Sequence, residues 1–174
     1  AGDTIYAIRK GKDAPAELVS LGEDGVRRVR AFAGTSSKLV YEPGSRRIYW
    51  SEPVPDMRWE QAGSSRVRYM LAGGREQYDL GAPDGLQVVE PCWVGEELCA
   101  SAIGEGGFGV YCVKDRALGE LLKPGGSHGV KEGVFEELLK PSPVKIKQLR
   151  ARGNALLFVS DRTTVNELYS LDLS

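Results

Sequence analysis

The sequence predicts an all-β fold, a β-propeller or part of one built from about four antiparallel four-stranded blades. Three observations lead there. Short apolar, β-branched and aromatic runs recur along all 174 residues, separated by Gly, Pro, Asp and Ser. The runs group into sets with a repeat of about 40–50 residues, the period of a four-stranded blade. The central runs are apolar on both faces, as Ala155–Val159 (ALLFV) shows. A sheet packed between two neighbours needs that pattern, whereas a half-solvated sheet alternates.

Taken in order, the first set contains Thr4–Lys10, Ala16–Leu21 and Val26–Phe32. The second holds Lys38–Glu42, Arg47–Ser51, Ser65–Leu71 and Glu76–Leu80. The third holds Leu86–Val94, Glu97–Ile103, Phe108–Lys114 and a weaker Gly119–Lys123. The last holds Val144–Ala151, Ala155–Asp161 and Asn166–Leu173. Ile5-Tyr6-Ala7, Ile48-Tyr49-Trp50, Glu97-Leu98-Cys99 and Leu156-Leu157-Phe158 occupy the second-strand place in each set. The blade-like sets cover 1–33, 38–80, 86–124 and 144–174, with an insertion at 125–143, in a single domain or fragment. Only Lys131–Lys140 suggests a short helix, where Val134, Phe135 and Leu138 share a face and Gly133 weakens it. The first set lacks a first strand and the last lacks a fourth. That pattern favours a partial array over a small closed ring, with open edges available for self-association.

Charge narrows the partners. Lys and Arg total 23 against 24 Asp and Glu, a net charge of −1. A balance of that kind, without a basic stretch, argues against nucleic acid. At 41% hydrophobic and 27% charged residues the chain can bury a core. No apolar run approaches the roughly 20 residues that span a bilayer. The chain begins Ala1-Gly2-Asp3 with no signal-like apolar segment, which suits a processed chain or a piece of a longer one.

Catalytic and metal chemistry find little to work with. The single His128 lies in a Gly-rich segment, and Cys92, Cys99 and Cys112 show no zinc spacing. The cysteines read as small buried hydrophobes; a Cys92–Cys99 disulfide requires the two to sit on neighbouring strands. Gly104–Gly109 spells G-x-G-x-x-G. It lacks the helix of a dinucleotide fold and the later motifs of a kinase, so it reads as a hairpin between blade strands. Glu52, Asp56 and Glu60 offer carboxylates for a glycosidase pair, but no spacing selects them from the other acids. Ser160-Asp161-Arg162 reads as a capped tight turn with Arg162 paired at the blade edge. Gly119–Pro124 and Glu136–Pro141 repeat nearly the same phrase around the His128 segment. No cofactor, no metal and no catalytic residue is expected.

Two stretches resemble a known family. Asn154–Leu173 (NALLFVSDRTTVNELYSLDL) is similar to the PD40 repeat of TolB-like β-propellers, in which a Ser-Asp-Arg turn leads into Glu-Leu-Tyr-x-Leu-Asp. Ile48–Tyr69 resembles a blade of propeller proteins from the Bacteroidetes, with Ser-Glu after the second strand and an Asp-x-Arg-Trp-Glu loop. The resemblance implies an exported, periplasmic or surface-attached bacterial module for binding or scaffolding, sometimes a domain of a larger lipoprotein or peptidase. Such propellers usually have six or more blades, against about four sets here.

The most distinctive surface candidate is the loop of Asp56, Arg58, Trp59 and Glu60, stiffened by Pro53 and Pro55. An aromatic ring beside an arginine and two carboxylates suits a protein, peptide or glycan ligand. The competing reading has Trp59 plugging the loop from beneath and Arg58 paired to a neighbouring carboxylate. The expected function is non-catalytic binding or scaffolding. The alternative is a substrate-gating propeller domain of a larger exported serine peptidase or other hydrolase. The nucleophile elbow G-x-S-x-G is absent, so such a catalytic domain would lie outside this sequence.

Overall fold

Fourteen strands make up the described part of the chain, in a computed structural model that describes residues 4–32, 37–54, 64–74, 76–82, 86–113 and 135–173. They are β1 (Ile5–Arg9), β2 (Glu17–Gly22), β3 (Gly25–Ala31), β4 (Val40–Glu42), β5 (Arg47–Val54), β6 (Ser64–Leu71) and β7 (Gln77–Gly81). After these come β8 (Gln87–Val94), β9 (Glu97–Gly104), β10 (Gly107–Val113), β11 (Glu136–Ser142), β12 (Ile146–Arg152), β13 (Ala155–Ser160) and β14 (Glu167–Asp172). Every pairing is antiparallel between sequence neighbours. The result is four meandering sheets: β1–β3, β4–β7, β8–β11 and β12–β14. The two end sheets are three-stranded, as the spacing predicts, and the sheets do not close into a ring.

Two readings of the sequence are corrected. Glu136–Lys140 lies in β11, paired to β10 through Tyr111↔Glu137 and Val110↔Leu139, and is not helical. A strand edge left by β10 outweighs the weak helical period, because tertiary pairing overrides propensity in so short a segment. The fourth strand of the third sheet therefore comes from the segment assigned to the insertion; Gly119–Lys123 lies outside the described residues. Cys99 and Cys112 are not free thiols: they form a disulfide across β9 and β10.

Side chains alternate along each strand, so each inner sheet presents one face to each neighbour. Ile48, Trp50 and Met70 point toward the first sheet and pack with Leu18 and Phe32. Tyr49, Val67, Tyr69 and Leu80 point the other way and meet Val88, Leu98, Ala100 and Val113 of the third sheet. Cys92, Val94, Cys99, Val110 and Cys112 then face Ile146, Leu149, Leu156 and Phe158 of the fourth. Three apolar seams thus join four stacked sheets. Each fully buried Leu, Ile or Val contributes about 1.5–3 kcal/mol by leaving water.

The inner strands are also tied by polar contacts. Bulges at Val88/Glu90 and Lys147/Arg150 interrupt β8 and β12. Glu90 accepts the Leu149 N–H at 3.1 Å and pairs with Lys38 Nζ at 3.0 Å and Arg150 Nη1 at 3.4 Å. Lys38 Nζ also donates to the Leu149 carbonyl. The segment leading into β4, the third sheet and the fourth sheet are therefore pinned at one point.

The G-x-G-x-x-G segment is the tight β9–β10 hairpin that the sequence predicts, with Gly104 opposite Gly107. Gly107 has φ +99°, and a Cβ there would lie 2.1 Å from the Ser142 carbonyl oxygen. Both the turn and the approach of β11 require glycine at this position.

Candidate functional site

Meander topology places successive connections at opposite ends of a blade. The β1–β2, β5–β6, β9–β10 and β13–β14 connections share one end. There the β9–β10 link is the two residues Glu105–Gly106, while the β5–β6 link spans residues 55–63. Asp56, Arg58, Trp59 and Glu60 all fall in that longer link and lie outside the described residues. His128 does too. What the structure does describe is the base on which the link stands.

That base is held from both sides. β5 and β6 remain paired to their ends, Val54 opposite Ser64 and Pro53 opposite Ser65. Toward the third sheet, Ser65 Oγ donates to the Val88 carbonyl at 2.7 Å and Ser51 Oγ to the Val89 carbonyl at 3.0 Å. Toward the first sheet stands Glu52, 2% exposed. Its Oε1 accepts Arg30 Nη2 at 3.1 Å, and its Oε2 lies 3.4 Å from Trp50 Nε1 and 3.6 Å from Arg68 Nε. Arg30 also donates to Gln77 Oε1, and its guanidinium sits 5.7 Å from the Phe32 ring centre and 6.0 Å from that of Trp50. Beside it, Arg66 Nη1 meets Asp79 Oδ2 at 3.0 Å.

Burial lowers the Arg30 pKa; the Glu52 charge works against that shift and the Arg68 charge adds to it. A carboxylate removed from water needs partners, and this one gathers them from two sheets. Of the three carboxylates weighed as a glycosidase pair, Glu52 is thus a buried structural anchor. Asp56 and Glu60 lie outside the described residues. Sequence reading missed Arg30, Arg68 and Gln77. The period-2 alternation of Arg66 and Arg68 with Val67 and Tyr69 was the available signal, since it puts both arginines on the Glu52 face.

Other candidates resolve into structural roles. Asp161 Oδ1 accepts the Lys145 N–H at 2.8 Å, and the Asp161 carbonyl accepts the Thr164 N–H at 3.0 Å, as a capped turn should. Arg162 lies over the Tyr169 ring at 5.6 Å. Glu97, Cys99 and Cys112 bring ligand atoms within 4.8 Å of one another, but the disulfide consumes both thiols and leaves one carboxylate, too few donors for a metal. At the opposite end of the first two sheets a cleft of about 330 Å³ is lined by Tyr6, Ser20, Arg27, Arg28, Val29, Gly73 and Gly74. Two of these residues are joined, Tyr6 Oη accepting the Gly73 N–H at 2.6 Å. Among the described residues, no helix is long and apolar enough to cross a membrane.

No family model matches the sequence, and no curated protein matches it. Solved structures do share its fold. TolB from Acinetobacter baumannii superimposes with a TM-score of 0.66 at 15% identity, over 99% of this chain and 39% of that one. A putative TolB from Agrobacterium tumefaciens gives 0.68 at 13%, over 98% and 57%. The β-propeller domain of the trilobed protease from Pyrococcus furiosus, described as having an open velcro topology, gives 0.57 at 12%, over 100% and 52%. This chain spans well under two thirds of each. The fold is that of a TolB-like β-propeller, present here as four consecutive blade sheets.

Proposed function

We propose that this TolB-like propeller array is a non-catalytic binding or scaffolding module that recognises a protein, peptide or glycan through its blade-end loops. Asp56, Arg58, Trp59 and Glu60 are the residues assigned to contact. The observation that carries the reading is the base of their loop. Glu52 fixes it to the first sheet and Ser51 and Ser65 fix it to the third, so a long connection stands on a rigid frame. Binding residues are commonly presented in that way. The test is a glycan array and a peptide array probed with wild type and with an Arg58→Ala/Trp59→Ala variant. Loss of at least tenfold in signal at unchanged melting temperature supports the assignment, and equal signal overturns it.

Export is part of the proposal. The PD40 resemblance implies it, and a disulfide between Cys99 and Cys112 suits an oxidising compartment. Recovery of the native protein from cytoplasmic fractions alone would sink that part. Self-association belongs here too. The outer faces of the end sheets show Ile5 at 64% and Leu168 at 71% exposure, where an inner sheet would meet a neighbour. Sedimentation velocity of the 174-residue chain is expected to show a dimer or larger species, and a monomer across the accessible concentrations would remove this element.

The propeller of the Pyrococcus furiosus protease favours a second reading, a gating domain of a larger exported hydrolase. A G-x-S-x-G-bearing α/β-hydrolase segment in the full coding sequence would establish it, and its absence would discard it.

A further inference from the structure

Three cysteines, the complete set in this chain, stand in one row across adjacent strands of the third sheet. Cys99 on β9 is the direct register partner of Cys112 on β10 and, on its other side, of Cys92 on β8. Direct antiparallel partners project to the same face, and all three belong to the seam against the fourth sheet. Cys99 and Cys112 are joined, and Cys92 is a buried free thiol. Its thiol donates to the Trp93 carbonyl at 4.0 Å.

We propose that this row is an internal thiol–disulfide exchange site, in which the cross-link passes between the β9–β10 and β8–β9 strand pairs. The Cys92 thiolate attacks Sγ of Cys99. A new Cys92–Cys99 bond forms, the Cys99–Cys112 bond breaks, and the electron pair leaves on the Cys112 sulfur, which takes up the proton that Cys92 gave. One disulfide and one thiol are present before and after, so no outside oxidant is needed.

The geometry selects this step. Exchange requires the nucleophile to approach along the axis of the bond it breaks, and a row running straight across three strands puts Cys92, Cys99 and Cys112 in that order. Cα atoms of direct antiparallel partners are about 4.5–5.5 Å apart, within the roughly 4.4–6.8 Å that a disulfide spans. Cys112 lies two strands from Cys92, roughly 10 Å away, so only Cys99 can be attacked. The two cross-links close loops of similar length, with separations of 13 residues for Cys99–Cys112 and 7 for Cys92–Cys99. Chain entropy alone would then distinguish them by only about two- to threefold. Burial raises the Cys92 pKa, with the surrounding charges of Lys38, Glu90 and Arg150 partly offsetting one another. The thiolate is therefore scarce at neutral pH, and exchange falls in the range of minutes to hours.

The test follows the free thiol. Native wild type is incubated, sampled over a day, acid-quenched, alkylated under denaturing conditions and mapped by peptide mass spectrometry. Alkylated Cys112 should appear beside alkylated Cys92 and reach a plateau within about tenfold of it. The rate should be the same across a tenfold dilution. Label confined to Cys92 at every time overturns the proposal, as does a rate that falls in proportion to dilution. Cys112→Ser, reduced and then treated with oxidised glutathione, supplies a second arm. It should yield the Cys92–Cys99 disulfide with no alkylatable thiol, and two alkylatable cysteines would count against the exchange site.

Discussion

The second and third sheets have the same four-strand order and share a seam, yet their far sides rest on different chemistry. The second meets the first sheet through Trp50, Ile48 and Met70, with a buried Glu52 held by Arg30 and Arg68 at the margin. The third meets the fourth through Val94, Val110, Leu156 and Phe158 over a face whose own strands carry the Cys99–Cys112 bond, with Glu90 held by Arg150 and the Leu149 N–H. The first arrangement depends on a large ring and a fully buried carboxylate, and the second on smaller side chains, a partly exposed carboxylate and a face that is itself cross-linked. Stacking tolerates both, because a blade needs only a flat apolar face on each side.

Four measurements would break or sharpen this contrast. The largest effect should come from Trp50→Ala, which removes a fully buried ring beside Phe32 and should cost about 3–5 kcal/mol. Urea unfolding would read it, and a loss under 1 kcal/mol would mean that the first sheet does not depend on this ring. Reducing Cys99–Cys112 should cost about 3 kcal/mol for a loop of this size. The loss should appear in urea titrations with and without reductant, with the fourth sheet losing hydrogen-exchange protection before the first.

Glu52→Gln should cost about 1–3 kcal/mol, since it leaves two guanidinium groups facing a neutral amide. The loss should leave the third and fourth sheets as protected as before. Uniform loosening of all four would contradict the assignment to one seam.

The smallest effect is alkaline. Burial above all pushes the Tyr69 hydroxyl up to about 12, with Arg47 opposing and Tyr78 assisting, and it raises Tyr49 further with help from Glu42. Both groups are thus favoured in the neutral form by folding. The stability they contribute is complete below about 10, the ordinary tyrosine value, and is lost as pH rises through 12. Melting temperature should fall over that window, and Tyr49→Phe should flatten the fall. An equally steep decline in the variant would place the cause elsewhere.

Much of the fold was legible because short runs apolar on both faces, such as Ile48–Trp50 and Leu156–Val159, recur at the spacing of a blade. Legibility failed where partners were distant. Glu136–Leu139 carries too few residues for a period to decide, and β10 decided it. The cysteine pairing was hidden for a related reason. Cys92–Cys99 is the shorter separation, and only the register of β8, β9 and β10 shows that Cys99 has a cysteine as direct partner on each side. The candidate loop was visible as composition, Pro53 to Glu60, but its anchor was not. Arg30 and Glu52 are 22 residues apart and meet only after two sheets stack.

Stacking without closure has a consequence for how the molecule comes apart. Each inner sheet is gripped on two faces and each end sheet on one, so the array behaves as a short one-dimensional chain of coupled units. Opening begins at its ends. Amides of β1–β3 and β12–β14 should exchange through local events of low free energy, while those of β5, β6, β8 and β9 wait for the whole to unfold. Whatever covers an end face, a further blade or a second copy, would therefore act as a stopper against fraying. Its binding energy would appear as slowed exchange in the sheet that it caps and, more weakly, in the one beneath.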